Sequence, residues 1–238
     1  METVIKRIDD YNGLRFYQEV DKEGKVLWTY PSTTTKLGEV YPSGYYLEKY
    51  IRDNGEHGRI EFEKAGDQGT EVHLAIESLL GGGAVPSEGM TNKVLKCVQA
   101  FIDWYTEVKP EILLTEHIVV NHDDKVAGCA DLVCTINGEK YIIDYKTSSN
   151  LYPSHKLQLA SYWSTFKDPD MKGALLQLGN TTKKHYTFSE VKDLPEQYKT
   201  FQHFNKTFDI LKPDAKPSGI VYPDLFTLNL KQDEDKAN

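Results

Sequence analysis

Residues 111–178 contain strand and helix patterns in an order that few folds can accommodate. EILLTEHIVVN, KVAGCADLVCTI and KYIIDYKTS each have the pattern of a strand, and turn-like residues separate them. HKLQLASYWSTF has apolar residues at helical spacing, and GALLQL adds a short apolar strand pattern. Short turns predict an antiparallel meander, and a helical crossover allows the last strand to join it in parallel. We therefore expect an α/β fold with a mixed central β-sheet flanked by helices, in the order helix, three strands, helix, strand.

Two helices are predicted before these strands. The segment 67–80 has apolar residues at helical spacing, with Thr70 as the candidate N-cap and a run of glycines at its end. A second helix should cover residues 91–107 and end before Pro110, because the residue before a proline disfavours helical geometry.

Accessory elements are predicted at both ends of the chain. We expect a hairpin within residues 1–31, then a short helix that begins at Ser43 or Gly44, ends at Gly55 and lies on the substrate side. A long amphipathic helix should run from about Ser189, and the end KQDEDKAN is too polar to bury. The chain then divides into an accessory region, a core and a C-terminal region, covering residues 1–66, 67–188 and 189–238.

Charge and cysteine content restrict the classes of protein that fit. The formal net charge of −8 is unfavourable for binding a polyanion, so any contact with nucleic acid needs a local basic surface or a bound cation. Cys97, Cys129 and Cys134 form no CxxC pair, which argues against a disulfide scaffold or a four-thiolate metal site. The chain has no long apolar run, so we expect no membrane partner and a location inside the cell.

Three charged residues on neighbouring predicted strands suggest a reaction. Asp144 and Lys146 are two apart and share one face of their strand, and Asp131 lies among apolar residues on the strand before. Two facing carboxylates repel each other unless a cation lies between them, and hard oxygen ligands suit Mg²⁺ or Mn²⁺. Such a metal site with a nearby lysine fits phosphodiester hydrolysis.

Polar residues on the flanking helices extend this set. His73 and Glu77 are four residues apart, so His73 can complete a metal shell while Glu77 orients the imidazole from behind. Direct ligation by Glu77 is the less favoured alternative. Gln158 and Tyr162 have the same spacing and can reach a phosphate or the lysine. Glu116 is a further candidate ligand on the first strand.

Four sequence segments carry a resemblance to a known family. GTEVH, AGCADLV, IIDYKTS and QLASY occur in this order and resemble the motifs of the RecB-type branch of the PD-(D/E)xK nuclease superfamily, over about residues 69–165. The earlier segment PSTTTKLGEVYPSGYYLEKY is similar to the N-terminal region of phage-encoded members and of the related mitochondrial genome-maintenance exonuclease. DYK stands where many relatives have ExK.

The resemblance implies a restriction-endonuclease-like core and specific roles. By it, His73, Asp131, Asp144 and the Tyr145 carbonyl hold Mg²⁺ or Mn²⁺, Lys146 is the catalytic lysine, and Gln158 and Tyr162 form the QxxxY element. The iron–sulfur cluster of some relatives needs four cysteines and is not expected here. The implied function is an exonuclease acting on DNA with a free end, in the cytoplasm of a bacterial host if the chain is phage-encoded, and with a recombination or replication protein as a further partner.

Several structural explanations compete with these roles. A single DxK pair is often a solvated edge pair, and a lone histidine is more often a packed residue than a ligand. Gln158, Tyr162 and Glu116 can belong to ordinary packed or mixed faces, and residues 183–185 read as a solvated turn more readily than as a phosphate contact. Three alternatives also remain open: an endonuclease or structure-specific nuclease with the same site, an inactive nucleic-acid-binding or assembly module, and a metal enzyme with another substrate.

Overall fold

The computed structural model describes residues 2–10, 13–42 and 45–219. Ser43, Gly44 and the polar C-terminal end lie outside the described residues. A five-stranded sheet forms the centre, with strands adjacent in chain order. These strands are β4 (Glu111–Asn121), β5 (Val126–Ile136), β6 (Glu139–Lys146), β7 (Lys172–Leu178) and β8 (Tyr186–Val191).

The direction of each strand follows from its connection. β4, β5 and β6 are antiparallel neighbours, and the turn between β5 and β6 has Asn137 and Gly138 at positive φ, as a tight hairpin turn requires. β7 lies parallel to β6, because α4 (Pro153–Trp163) connects them as a crossover. The predicted α/β class with a mixed sheet is therefore confirmed.

Helices cover both faces of this sheet. α3 (Asn92–Val108) begins at Thr91, whose side chain accepts a hydrogen bond from Val94 N, and its buried face includes Phe101 and Trp104. That face packs with β5, β6 and β7 in one apolar cluster. α4 packs on the opposite face, where Leu159 and Ala160 contact a second cluster.

The N-terminal region is a second sheet followed by a helix. β1 (Val4–Asp9), β2 (Arg15–Val20) and β3 (Val26–Pro31) are antiparallel, so the expected hairpin has a third strand. α1 (Thr33–Val40) was not predicted, because its threonine-rich sequence favours a helix only weakly. Its N-cap is Ser32, whose side chain accepts from Thr35 N.

The helix predicted from residue 67 is part of a longer element. α2 (Tyr45–Leu80) is interrupted at Gly55, where φ is 56° and ψ is −134°, and the helix resumes directly afterwards. Thr70 is therefore wrong as an N-cap, since it lies inside α2 and its hydroxyl donates to the Gly66 carbonyl. The proposed boundary after residue 66 also falls inside this helix.

The C-terminal part differs from the prediction at its start. Ser189 lies in β8, and α5 (Leu194–Leu211) begins only after that strand, so the boundary after residue 188 also falls inside an element. α5 is tied to α1 by Lys36, which is 1% exposed and donates to Asn205 Oδ1 at 2.6 Å and to Asp209 Oδ1 at 2.8 Å. In the described part of the chain, no helix has the length and apolar character to cross a bilayer.

Candidate active site

Asp131 marks the point where β5 and β6 separate. The described strand pairing runs from Ile136 to Leu132, which lies opposite Ile143. One residue further along, Asp131 Oδ2 accepts a hydrogen bond from Tyr145 N at 2.7 Å. This bond fixes the buried carboxylate, so that its other oxygen, Oδ1, faces His73 of α2.

Three potential metal ligands converge beside this carboxylate. His73 Nδ1 is 3.5 Å from Asp131 Oδ1 and 3.8 Å from Glu116 Oε1. One ligand atom from each of the three residues lies within 4.8 Å of the others. The structure thus brings Glu116 into the group, which the sequence alone left undecided.

Glu116 occupies an unusual backbone conformation for a strand residue. Its φ is 44°, although its neighbours Thr115 and His117 pair with the residues on either side of Asp131. A non-glycine residue in this region costs about 1–2 kcal/mol. Such strain concentrates at functional sites, which supports a role for the carboxylate beyond packing.

Two carboxylates set the electrostatics of this group. Burial lowers the pKa of His73, but the carboxylates of Asp131 and Glu116 outweigh it and raise that pKa to about 10. Burial raises the pKa of Asp131, whereas the His73 and Lys146 cations and the Tyr145 N–H hold it below its ordinary value. The electrostatic preference of the group is therefore for a cation.

A second network surrounds the other aspartate. Asp144 is 1% exposed, and its Oδ2 lies 2.6 Å from Lys146 Nζ. Gln158 Nε2 donates to Asp144 Oδ1 at 3.1 Å, and Gln158 Oε1 accepts from Lys146 Nζ at 3.1 Å. Burial, with a contribution from the Asp131 charge and against that of Lys146, raises the pKa of Asp144 to about 6.

Tyr162 completes this network because Gly128 leaves room for its ring. Gln158 Nε2 also lies 3.2 Å from the Tyr162 hydroxyl. A Cβ at Gly128 would lie 2.2 Å from a Tyr162 ring carbon, which is too close for any side chain there. The glycine of AGCADLV and the tyrosine of QLASY therefore fit together directly, and an isolated glycine in a strand pattern is the sequence signal for such an approach.

The other predicted site residues have different positions. Glu77 is exposed and is not among the converging ligand atoms, so its predicted metal-site role has no support in the structure. Asp144 is paired with Lys146 and is likewise outside that group. Tyr145 contributes its N–H to Asp131, and its carbonyl remains a predicted ligand. Lys184 of the turn before β8 pairs with Glu107 at 2.5 Å.

Sequence reasoning missed His155. It lies on α4 three and seven residues before Gln158 and Tyr162, a spacing that puts all three on one face. Its Nδ1 accepts from Tyr152 N at 3.3 Å. Burial and the nearby Lys146 charge lower its pKa to about 3, so it is a neutral neighbour of the site.

Comparisons with known proteins do not name a family. No protein-family model matches the chain, and no curated protein matches it. Among solved structures, the chain is similar to the crystal structure of SSO0001, with 18% identity and a TM-score of 0.38, covering 75% of this chain and 84% of that chain. A likeness of that size carries no argument about function.

Proposed function

We propose that this chain is a divalent-metal-dependent nuclease that hydrolyses phosphodiester bonds of DNA. The observation that carries the proposal is the convergence of His73, Glu116 and Asp131 beside the Asp144–Lys146 pair. A ligand group with two carboxylates next to a partly buried lysine suits the binding of a metal ion and a phosphate together.

The chemistry of the ligand atoms fits Mg²⁺ or Mn²⁺. Glu116 and Asp131 offer carboxylate oxygens and His73 offers an imidazole nitrogen, a mixture that Mn²⁺ accepts readily and Mg²⁺ accepts through its oxygen ligands. Asp144 and the Tyr145 carbonyl are the further proposed ligands. A bound ion of this kind lowers the pKa of its water and neutralises charge on the phosphate.

Lys146 has two tasks in this proposal. Its ammonium group pairs with Asp144 and donates to Gln158, so it is held in position before substrate binds. It can then donate to the attacking water or to a phosphate oxygen as negative charge develops there. Gln158 acts as a positioning residue, because it contacts the lysine, Asp144 and Tyr162 together.

The substrate preference is proposed from sequence resemblance. The motifs shared with RecB-type nucleases, and the N-terminal similarity to phage-type exonucleases, support DNA with a free end as the substrate. Phage recombination or DNA processing inside a bacterial cell would suit such an activity, with a recombination or replication protein as a partner.

The test is cleavage of end-labelled linear single- and double-stranded DNA with Mg²⁺, Mn²⁺ or EDTA. Asp144→Ala is run in parallel, with covalently closed circular DNA as a second substrate. We expect metal-dependent loss of linear DNA that the variant lacks, and intact circles. Cleavage of circles would replace the exonuclease by an endonuclease, and no cleavage of any substrate would favour a DNA-binding or assembly module.

A further inference from the structure

The N-terminal sheet lies directly against the strand that carries Asp131. Tyr17 of β2 and Tyr30 of β3 pack on Ala127 of β5, and Ser32 forms a parallel bridge with the same alanine. Cys129 and Asp131 follow Ala127 at two-residue steps along β5, so their side chains point to the same side of the strand as Ala127. One face of the N-terminal sheet is therefore adjacent to the proposed active site.

A buried hydroxyl on this face has no hydrogen-bond partner in the described part of the chain. Tyr17 is 1% exposed, and its OH group is unpaired. Burial, with a smaller contribution from the Cys129 thiol, raises its pKa to about 12. An unsatisfied buried hydroxyl costs about 1–3 kcal/mol.

Two arginines lie on the same face as this tyrosine. Arg7 pairs with Tyr17 across β1 and β2, and Asp9 pairs with Arg15 two residues away, so all four side chains point to one side of the sheet. Arg7 Nε is 2.8 Å from Asp9 Oδ2, and Arg15 Nε is 2.8 Å from Asp9 Oδ1. The carboxylate thus holds two guanidinium groups side by side.

The face that carries these arginines also packs against the strand of Glu116. Ile118, two residues after Glu116 on β4, packs on the cluster of Tyr17, Tyr30 and Ala127, and Arg7 lies opposite Tyr17 in the pairing of β1 with β2. The Cys129 thiol, on the neighbouring strand, donates to Glu116 Oε2 at 3.3 Å. Substrate bound at the metal-ligand group would therefore extend past Cys129 toward the two guanidinium groups.

We propose that Arg7 and Arg15 form a binding site for a backbone phosphate of the nucleic-acid substrate, next to the phosphate that is cleaved. This inference rests on the proposed function, because it assumes a substrate with successive phosphates. Two guanidinium groups and one carboxylate leave one positive charge, in a chain whose net charge is −8. Guanidinium groups bind phosphate oxygens through paired N–H donors.

The donors needed for this contact are available on Arg15. Among the described residues, Arg15 uses only its side-chain Nε, on Asp9, so both terminal nitrogens can donate to a phosphate. The N-terminal sheet would then form one wall of the substrate channel.

The test measures DNA binding separately from cleavage. A fluorescent single-stranded oligonucleotide is titrated by anisotropy with Mn²⁺ at several salt concentrations, in a Lys146→Ala background that removes the proposed catalytic lysine. Arg7→Gln combined with Arg15→Gln should raise Kd about tenfold and reduce the slope of log affinity against log salt by about one. Asp9 is 58% exposed on its side chain, so losing its partners should leave the fold intact, which circular dichroism checks.

Lys6→Gln is the matched control. Lys6 lies next to Arg7 on β1, is exposed, and pairs with Gln18, so its side chain points to the other face of the sheet. This variant should bind DNA as the background protein does. An equal loss of affinity in Lys6→Gln, or unchanged affinity and salt slope in the double arginine variant, would overturn the phosphate site.

The two proposals fail in different ways. If the unsubstituted chain cleaves DNA while the arginine variants bind as before, the nuclease stands and the phosphate site is lost. If the arginine variants lose affinity but the unsubstituted chain cleaves nothing, the phosphate site stands and the nuclease is lost. If no DNA binds at all, the phosphate site is overturned.

Discussion

Lys146 and Asp131 serve different needs of the proposed reaction, although they lie on neighbouring strands. Lys146 contacts Asp144 and Gln158, whereas Asp131 belongs to the converging ligand atoms. Lys146→Ala should therefore keep Mn²⁺ affinity and lose cleavage by about 100-fold or more, since it removes charge stabilisation at the phosphate. Asp131→Ala should lose both properties. Calorimetric Mn²⁺ titration and the linear-DNA assay measure the two effects.

Two results would contradict the roles proposed for Lys146 and Asp131. If Lys146→Ala cleaves as fast as the unsubstituted chain, the lysine has no catalytic role. If Asp131→Ala binds Mn²⁺ with unchanged affinity, the metal site lies elsewhere.

Glu116 is the ligand whose role depends most on the three-dimensional structure. Glu116→Gln keeps the size of the side chain but removes the charge that faces His73, so Mn²⁺ affinity should fall by at least about tenfold. Glu111→Gln, at the exposed start of the same strand, is the matched control and should leave affinity unchanged. Equal Mn²⁺ affinity in both variants would remove Glu116 from the metal site.

At the scale of elements, the packing of α4 on β5 depends on one missing side chain. Gly128→Ala would place a methyl group against the Tyr162 ring, which should destabilise the fold by about 1–3 kcal/mol and lower cleavage by displacing Tyr162 from Gln158. Urea unfolding and the cleavage assay measure both effects.

Gly66→Ala provides the control for this substitution. Gly66 is exposed within α2 and has no atom within 4 Å of an added Cβ, so alanine there should stabilise the helix by about 0.5–1 kcal/mol. The packing explanation is wrong if Gly128→Ala proves as stable as Gly66→Ala.

The elements that were predicted correctly are those with one clear apolar pattern. β4 to β7, α3 and α4 bury such a pattern in the two apolar clusters of the sheet. The part of α2 between the two helices predicted there, residues 56–66, was missed because most of these residues are exposed, so apolar spacing does not mark the helix. β8 was missed because most of its residues are only half-buried.

The site was predictable in its strand residues and less so in its geometry. Asp131, Asp144 and Lys146 follow from alternation on adjacent strands, and Gln158 and Tyr162 from helical spacing. The position of the Glu116 carboxylate depends on a backbone φ of 44°. The position of Tyr162 depends on its contact with Gly128, which lies 34 residues earlier in the chain. Neither feature produces a periodic pattern in the sequence.

At the scale of the whole molecule, buried tyrosines set a limit on stability in alkali. Burial raises the pKa of Tyr17 to about 12 and that of Tyr162 well above its ordinary value, whereas an unfolded tyrosine ionises near about pH 10. The folded state therefore keeps protons that the unfolded state loses. Stability from this source is complete below about pH 10 and falls as pH rises toward 12.

Tyrosinate absorbance and far-ultraviolet circular dichroism, followed together as pH rises, measure this effect. We expect part of the 15 tyrosines to ionise early and a second step of ionisation to coincide with the loss of helix signal. Complete ionisation before any loss of secondary structure would contradict the burial of Tyr17 and Tyr162.

The contact between α1 and α5 also bears on how the molecule is made. Lys36 of α1 donates to Asn205 and Asp209, and Asp10, which follows β1, accepts from Ser218. The N-terminal sheet and α1 are therefore anchored by residues far along the described chain. Because synthesis runs from the N-terminus, α1 and the N-terminal sheet stay unanchored until α5 and Ser218 have been made. Fragments that end before α5 would then lack the contacts that anchor α1.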